Sequence, residues 1–586
     1  MPELPGRAGQ RTGAGRMTAL HLQAQSWTEG RAAGELLWSD TPLSFWGGID
    51  PATGTVIDQH HPLCGQSVRD RVLALPSGRG SCTGSSVMLE LLLSGNAPRA
   101  LVLAGVDDIL LLGVLVAQRM FGRSIPVLSL SPQDYAALEG AATVHVGPDA
   151  GDAPGASLIT RTAAVPPLAL TARDQALLAG AEGRARQVAM EIIVRMAGVA
   201  GAPRLIDIRQ VHVDGCIYTG DACLRFAQQL VDWQGRVAVP TSLNAISVDR
   251  CGWRGQGVAP AFGEPAEALA QAYVDLGAAP TYTCAPYLLN GAPRLGEQIA
   301  WAESNAVIYA NSVIGARTAK YPDFLDILMA LTGRAPEAGC HLDQGRKAAM
   351  RIAVDLPEGF DDSLYPLLGY QAGLQSGREI PLLAGMESTR PVADDLRAFG
   401  AAFATSSAAP MFHIAGITPE ARDAQAVMAA GLAIPTQRID RAALLNAWHE
   451  LNPARTRQVE LVALGNPHFS IREIVWLAAL CAGRTRHADT DVVVTTSRFV
   501  LDSPEAAGSV AALRAFGVRF VVDTCWCMVQ EPVIAPRVRT VMTNSGKYAH
   551  YAPGLTGRQT RFGSLADCVD AACTGQAPEG PPDWLR

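Results

Sequence analysis

The chain has 586 residues, a formal net charge of −7, 48% hydrophobic and 18% charged residues, 57 glycines and 38 prolines. That apolar content supports large buried cores in more than one domain and excludes extensive disorder. The acidic balance, with no dense lysine–arginine run, excludes general nucleic-acid binding, which needs a basic face.

Residues 1–16 carry arginines and glycines but no apolar run, so they read as a disordered lead-in before Met17 and not as a signal peptide or membrane span. No later apolar stretch is long enough to cross a bilayer, and no membrane partner is expected. The 12 cysteines are too few for a disulfide scaffold and read as reduced thiols of a cytoplasmic protein. Residues 17–150 predict a small β/α domain. Strands are expected at 43–50 and 54–58 around an Asp-Pro-Ala-Thr-Gly turn, then at 100–104, 125–130 and 143–147, with a helix over 107–121.

Inside this domain stands Ser77-Gly78-Arg79-Gly80-Ser81-Cys82-Thr83-Gly84-Ser85, directly before an apolar helical run. Glycines permit a tight turn and close approach to a ligand, and a helix N-terminus favours negative charge. Arg79 can grip a carboxylate and Ser81 is a candidate reactive hydroxyl. The competing reading is a plain Ser/Thr helix cap. Residues 151–170, rich in Gly, Pro and Asp, read as a linker. A large α/β domain is expected over 171–586. It begins with a Thr171-capped helix through about 199, continues with strand-like 205–208 and 236–240 around a helix at 220–233, and alternates strands and helices to the end.

Six polar clusters end or follow strand-like runs there, which is where α/β enzymes place ligands. Among them His212 lies in Val211-His212-Val213-Asp214, Cys284 in Thr281-Tyr282-Thr283-Cys284, and Cys525 and Cys527 in Asp523-Thr524-Cys525-Trp526-Cys527. Two thiols two residues apart on extended backbone point to one side. Three thiolates suit iron or an iron–sulfur cluster better than magnesium or calcium, and a buried apolar thiol is the alternative for each. Thr543-Asn544-Ser545-Gly546-Lys547 can hold a carboxylate or phosphate through Lys547 and backbone N–H groups, with a solvated lysine as the alternative. Glu297 and Glu303 read either as orienting groups or as helix-face charges.

Together these motifs resemble the aconitase X family. The small domain is similar to its swivelling subunit through Asp58, His61-Pro62-Leu63, Gly65 and the 78–85 loop. The large domain is similar to its catalytic subunit through Thr283-Cys284-Ala285-Pro286-Tyr287, Trp301-Ala302-Glu303-Ser304-Asn305, Phe412-His413-Ile414-Ala415-Gly416, Asp523-Thr524-Cys525 and Met542-Thr543-Asn544-Ser545-Gly546-Lys547-Tyr548. The resemblance implies a small swivelling β/α domain fused to a large multi-layer α/β catalytic domain of aconitase type.

It also implies a hydro-lyase acting on a small hydroxy amino acid or hydroxy acid. Fusion of the two parts in this order favours the branch that dehydrates cis-3-hydroxy-L-proline to Δ1-pyrroline-2-carboxylate. A dehydratase of mevalonate 5-phosphate type is the alternative within the family, and an iron- or redox-sensing binding protein the alternative outside it. The implied roles are Ser81 as base, Arg79, His212, Asn544, Ser545 and Lys547 as substrate binders, and Cys284, Cys525 and Cys527 as ligands. The implied cofactor is a two- or four-iron cluster or mononuclear iron. The family motif Gly-Cys-Pro-His stands here as Gly465-Asn466-Pro467-His468, which leaves Cys527 as the candidate third thiol.

Overall fold

A computed structural model describes residues 20–58, 61–78, 82–150, 155–429 and 434–586. The lead-in 1–16 lies outside them, as do Arg79 and Ser81. The N-terminal part is a closed seven-stranded barrel, ordered Leu20–Thr28, Val127–Ser129, Ala100–Leu103, Val72–Leu75, Ala32–Trp38, Thr143–Gly147 and Ala156–Thr162. Val72–Leu75 and Ala100–Leu103 are buried throughout and pair in parallel, so they read as unbroken apolar runs, not as alternating ones. The first and last strands close the barrel in parallel, Leu20 opposite Ala156 through Ser26 opposite Thr162. Residues 151–170, expected as linker, therefore contain a barrel strand.

Helices Gly84–Ser94 and Asp108–Phe121 pack together outside the barrel. Gly113 permits this, since a Cβ there would lie 2.6 Å from the Ser85 carbonyl oxygen. These helices also meet Arg184–Val199 and Asp221–Asp232 of the large part, and one apolar cluster runs across the junction, from Leu75, Met88 and Leu112 to Ile193, Phe226 and Leu328.

The large part carries three parallel sheets that position its loops. They are Thr241–Leu243, Val211–Val213, Ala300–Trp301; then His413–Ile414, Pro381–Ala384, Met350–Val354, Thr436–Ile439; then Val518–Val522, Asp491–Thr496, Leu461–Phe469, Thr540–Thr543, Gln559–Phe562. The expected first helix is two, Ala172–Leu178 and Arg184–Val199, separated by a turn with Gly180 and Gly183 at positive φ. Residues 236–240 form no strand. The Val237 and Ala238 N–H groups instead donate to the Leu276 and Ala330 carbonyls at helix ends, and Pro240 has no N–H to give.

Candidate active site

Loops after the first and third sheets bring three thiols together. Thr283 donates its N–H to the Leu243 carbonyl at 3.1 Å, which fixes Cys284 beside the end of Thr241–Leu243. Ile246 donates to the Asp523 carbonyl at 2.7 Å, which docks the Cys525 loop on the same edge. Asp523 is buried with φ of 66°, an unfavourable conformation for a residue with a Cβ. Its carboxylate is held by Arg498, whose nearest contact is 2.6 Å. Ala245, Cys284 and Cys525 thus form one buried cluster, with Cys527 and Met528 packed against it. Cys216, Cys223 and Cys568 are buried in larger apolar clusters elsewhere.

Polar groups reach two of the thiols. The His468 N–H points at Cys284 Sγ from 3.3 Å, and Asn466 Nδ2 lies 3.4 Å from Cys527 Sγ. Gly465, at φ of 94°, lets this strand end approach its neighbour, because a Cβ there would lie 2.0 Å from the Thr495 carbonyl oxygen. A hydrogen bond from Cys525, with the nearby Lys547 charge, outweighs burial and draws the Cys527 thiol down to about 7. The same hydrogen bond and burial push Cys525 up. Cys284 is driven to about 12, chiefly by burial.

Opposite the thiols, Lys547 Nζ lies 2.9 Å from Glu303 Oε1. Glu303 caps the helix Ser304–Tyr309 and also accepts from Asn305 Nδ2 at 2.5 Å and from Asn244 Nδ2 at 3.2 Å. Burial alone would raise its carboxyl. The Lys547 charge and hydrogen bond, with those of Asn305, overcome this and hold it at about 2. Burial would lower the Lys547 ammonium, but Glu303 and the thiols raise it well above its usual value, so both groups stay charged. Asn244 also donates to Asp214, whose carboxyl is raised by burial and by Asp323 and Glu303.

The pair lines a cavity of about 60 Å³ together with Asp214, Asn244, Cys525 and Cys527, but not Cys284. Trp46 and Thr83 of the barrel part also line it. Lys547 sits in the first turn of the helix Gly546–Thr556, whose N-terminus adds a preference for anions.

Other expected site residues lie apart from this cavity. The Ser545 hydroxyl accepts from the Tyr548 N–H as the helix cap and donates to the Asn466 carbonyl. Asn544 lines a separate cavity of about 30 Å³ with Arg397 and Glu473. His212 is fully buried within the first sheet, its Nδ1 2.8 Å from Ser242 Oγ, and burial lowers its imidazole to about 3. It does not line the cavity. Asp214 and Asn244 were not singled out in the sequence, although both stand in polar clusters that end strands. Nothing in the sequence marked Trp46.

Four aconitase X profiles match nearly end to end: the swivel domain at residues 21–153, the first domain at 167–344, the second at 348–449 and the third at 459–574. The chain belongs to the aconitase X family. This aconitase X is 54% identical to a cis-3-hydroxy-L-proline dehydratase of Pseudomonas aeruginosa over 95% of its own length and 97% of that protein's. It is 53% identical to a protein of the same name from Hypocrea jecorina, over 96% and 97%. Its fold matches the holo-form crystal structure of Thermococcus kodakaraensis aconitase X with a TM-score of 0.62 at 29% identity, covering 69% of this chain and all of that one.

The aconitase-type fold points to an iron-containing dehydratase, and the donor set can be tested against that group. Among the described residues no three His, Cys, Asp or Glu side chains already surround a metal-sized point. The three thiols of this aconitase X nevertheless share one cluster near the Lys547 ammonium, and Cys284 and Cys527 each accept an N–H hydrogen bond. That is the chemistry soft iron ligands require.

Proposed function

We propose that this chain dehydrates cis-3-hydroxy-L-proline. The C2 proton passes to a base, the C3 hydroxyl departs as hydroxide and takes up that proton as water, and the resulting enamine tautomerises to Δ1-pyrroline-2-carboxylate. The observation that carries this reading is near-full-length identity of 54% to a dehydratase of that name. The cavity supports it. Among the described residues Lys547 is the only cation that lines it, which suits one carboxylate.

Lys547 keeps one N–H on Glu303 and turns the others to the substrate carboxylate, where charge grows as C2 loses its proton. Glu303, held ionised, fixes the ammonium in place, and Asn244 and Asn305 fix Glu303. Ser81 is the base in this reading, and Thr83, two residues on, lines the cavity. Cys284, Cys525 and Cys527 would hold an iron centre, which supplies Lewis acidity toward the leaving hydroxyl. The test is to incubate iron-loaded protein with cis-3-hydroxy-L-proline and follow an o-aminobenzaldehyde-reactive imine. Formation of that product is expected, and its absence from iron-replete protein overturns the reading.

A further inference from the structure

A second, larger cavity adjoins the first. It encloses about 460 Å³ between the barrel part and the large part, and its walls are mainly apolar, including Ile49, Val248, Phe262 and Val529. Trp46 and Met528 line both spaces. Trp46 projects from the barrel part and meets the Tyr551 ring edge-on, with ring centroids 6.3 Å apart. Tyr551 lines the inner cavity. Among the described residues its charged lining groups are Asp214, Glu303 and Lys547, and the Trp46 indole, the Met528 thioether and the Tyr551 ring form an apolar side.

We infer that Trp46 sets the ring size this site accepts. The inference rests on the substrate reading above. With the carboxylate on Lys547, the ring methylenes of the substrate face the apolar side. A larger ring must push its extra methylene into the indole, although open volume lies just beyond. One methylene in such a pocket is worth about 10- to 200-fold in selectivity. Removing the indole joins the two spaces and relieves that clash.

The experiment compares wild type with Trp46→Ala and Trp46→Phe, and with Phe262→Ala as an outer-wall control. Turnover is measured on cis-3-hydroxy-L-proline and on its six-membered homologue, cis-3-hydroxy-L-pipecolate. Calorimetry measures binding of L-proline and L-pipecolate, which does not depend on chemistry. Wild type should favour the five-membered ring by about tenfold or more in both readouts, Trp46→Ala by less than about threefold, and Trp46→Phe should lie between. The loss should appear mainly as a fall in KM for the larger ring, with Phe262→Ala like wild type.

Unchanged discrimination in a folded Trp46→Ala protein overturns the inference and leaves the substrate reading standing. Wild-type protein that turns over neither hydroxy acid and binds neither ring overturns both. Equal relaxation by Phe262→Ala also overturns it, because a general loosening of the chamber would then suffice.

Discussion

Lys547 Nζ and Glu303 Oε1 lie 2.9 Å apart although 243 residues separate them in the chain, and both side chains are largely withdrawn from solvent. Breaking such a pair strands a buried charge, at a cost of about 3–5 kcal/mol. Lys547→Met should abolish turnover and lower stability by that order. Glu303→Gln combined with Lys547→Met should recover much of the stability and none of the activity. Urea unfolding beside the imine assay separates the two effects.

The thiol cluster predicts metal content. Cys284→Ser or Cys525→Ser should strip iron and its visible absorbance from anaerobically purified protein. Cys481→Ser, in a different apolar cluster, should leave both intact. Iron retained at wild-type stoichiometry in the first two variants would place the metal elsewhere.

Ser81→Ala should keep iron and melting temperature and lose about a hundredfold or more in turnover, the usual worth of a positioned base. Undiminished turnover would remove Ser81 from that role.

Glu90, on the helix Gly84–Ser94, accepts the Ala222 N–H at 2.7 Å. It thereby caps Asp221–Asp232 of the large part, whose own cap position is Gly220 and has no side chain to offer. Glu90→Ala should cost about 1 kcal/mol, the usual worth of an N-cap. It should also speed protease cleavage between the barrel and the large part. Wild-type resistance in both assays would show that the apolar junction alone holds them.

Burial drives the Asp362 carboxyl from 3.8 up to about 7; the Leu565 N–H opposes this, and the neighbouring Asp361 charge adds to it. The folded chain thus retains a proton that the unfolded chain releases, and this group's stabilisation is lost as pH rises from 3.8 toward 7. Asp362→Asn keeps an oxygen for the Leu565 N–H and removes that loss. Its melting temperature should exceed wild type at pH 8 and match it near pH 4. An equal offset at both pH values would exclude titration as the cause.

Much of this was legible from residue patterns. Ala100–Leu103 announces a buried strand by its unbroken apolar run, and Thr171 announces a helix start by its capping chemistry, whereas the strand Val72–Leu75 was not expected. The family motifs located Cys284, Cys525 and Lys547. Other features were hidden because their cause is distant in sequence. Ala156–Thr162 looks like linker until Leu20–Thr28 supplies its hydrogen-bond partner. The Ser545 hydroxyl reads as a ligand contact until its helix takes it as a cap.

By itself the sequence determined the α/β class, the fused order of the two parts, the family and the residue types able to bind iron and a carboxylate. These follow from local periodicity, turn chemistry and motif content. Only the tertiary structure decided that Glu303 belongs to Lys547, that Asn244 stands beside them, and that Trp46 walls the cavity. Each of these is a contact between segments far apart in the chain, whether from different strands of one sheet, from different sheets or from different parts. Such contacts are set by how the apolar faces pack, and nothing local in the sequence records them.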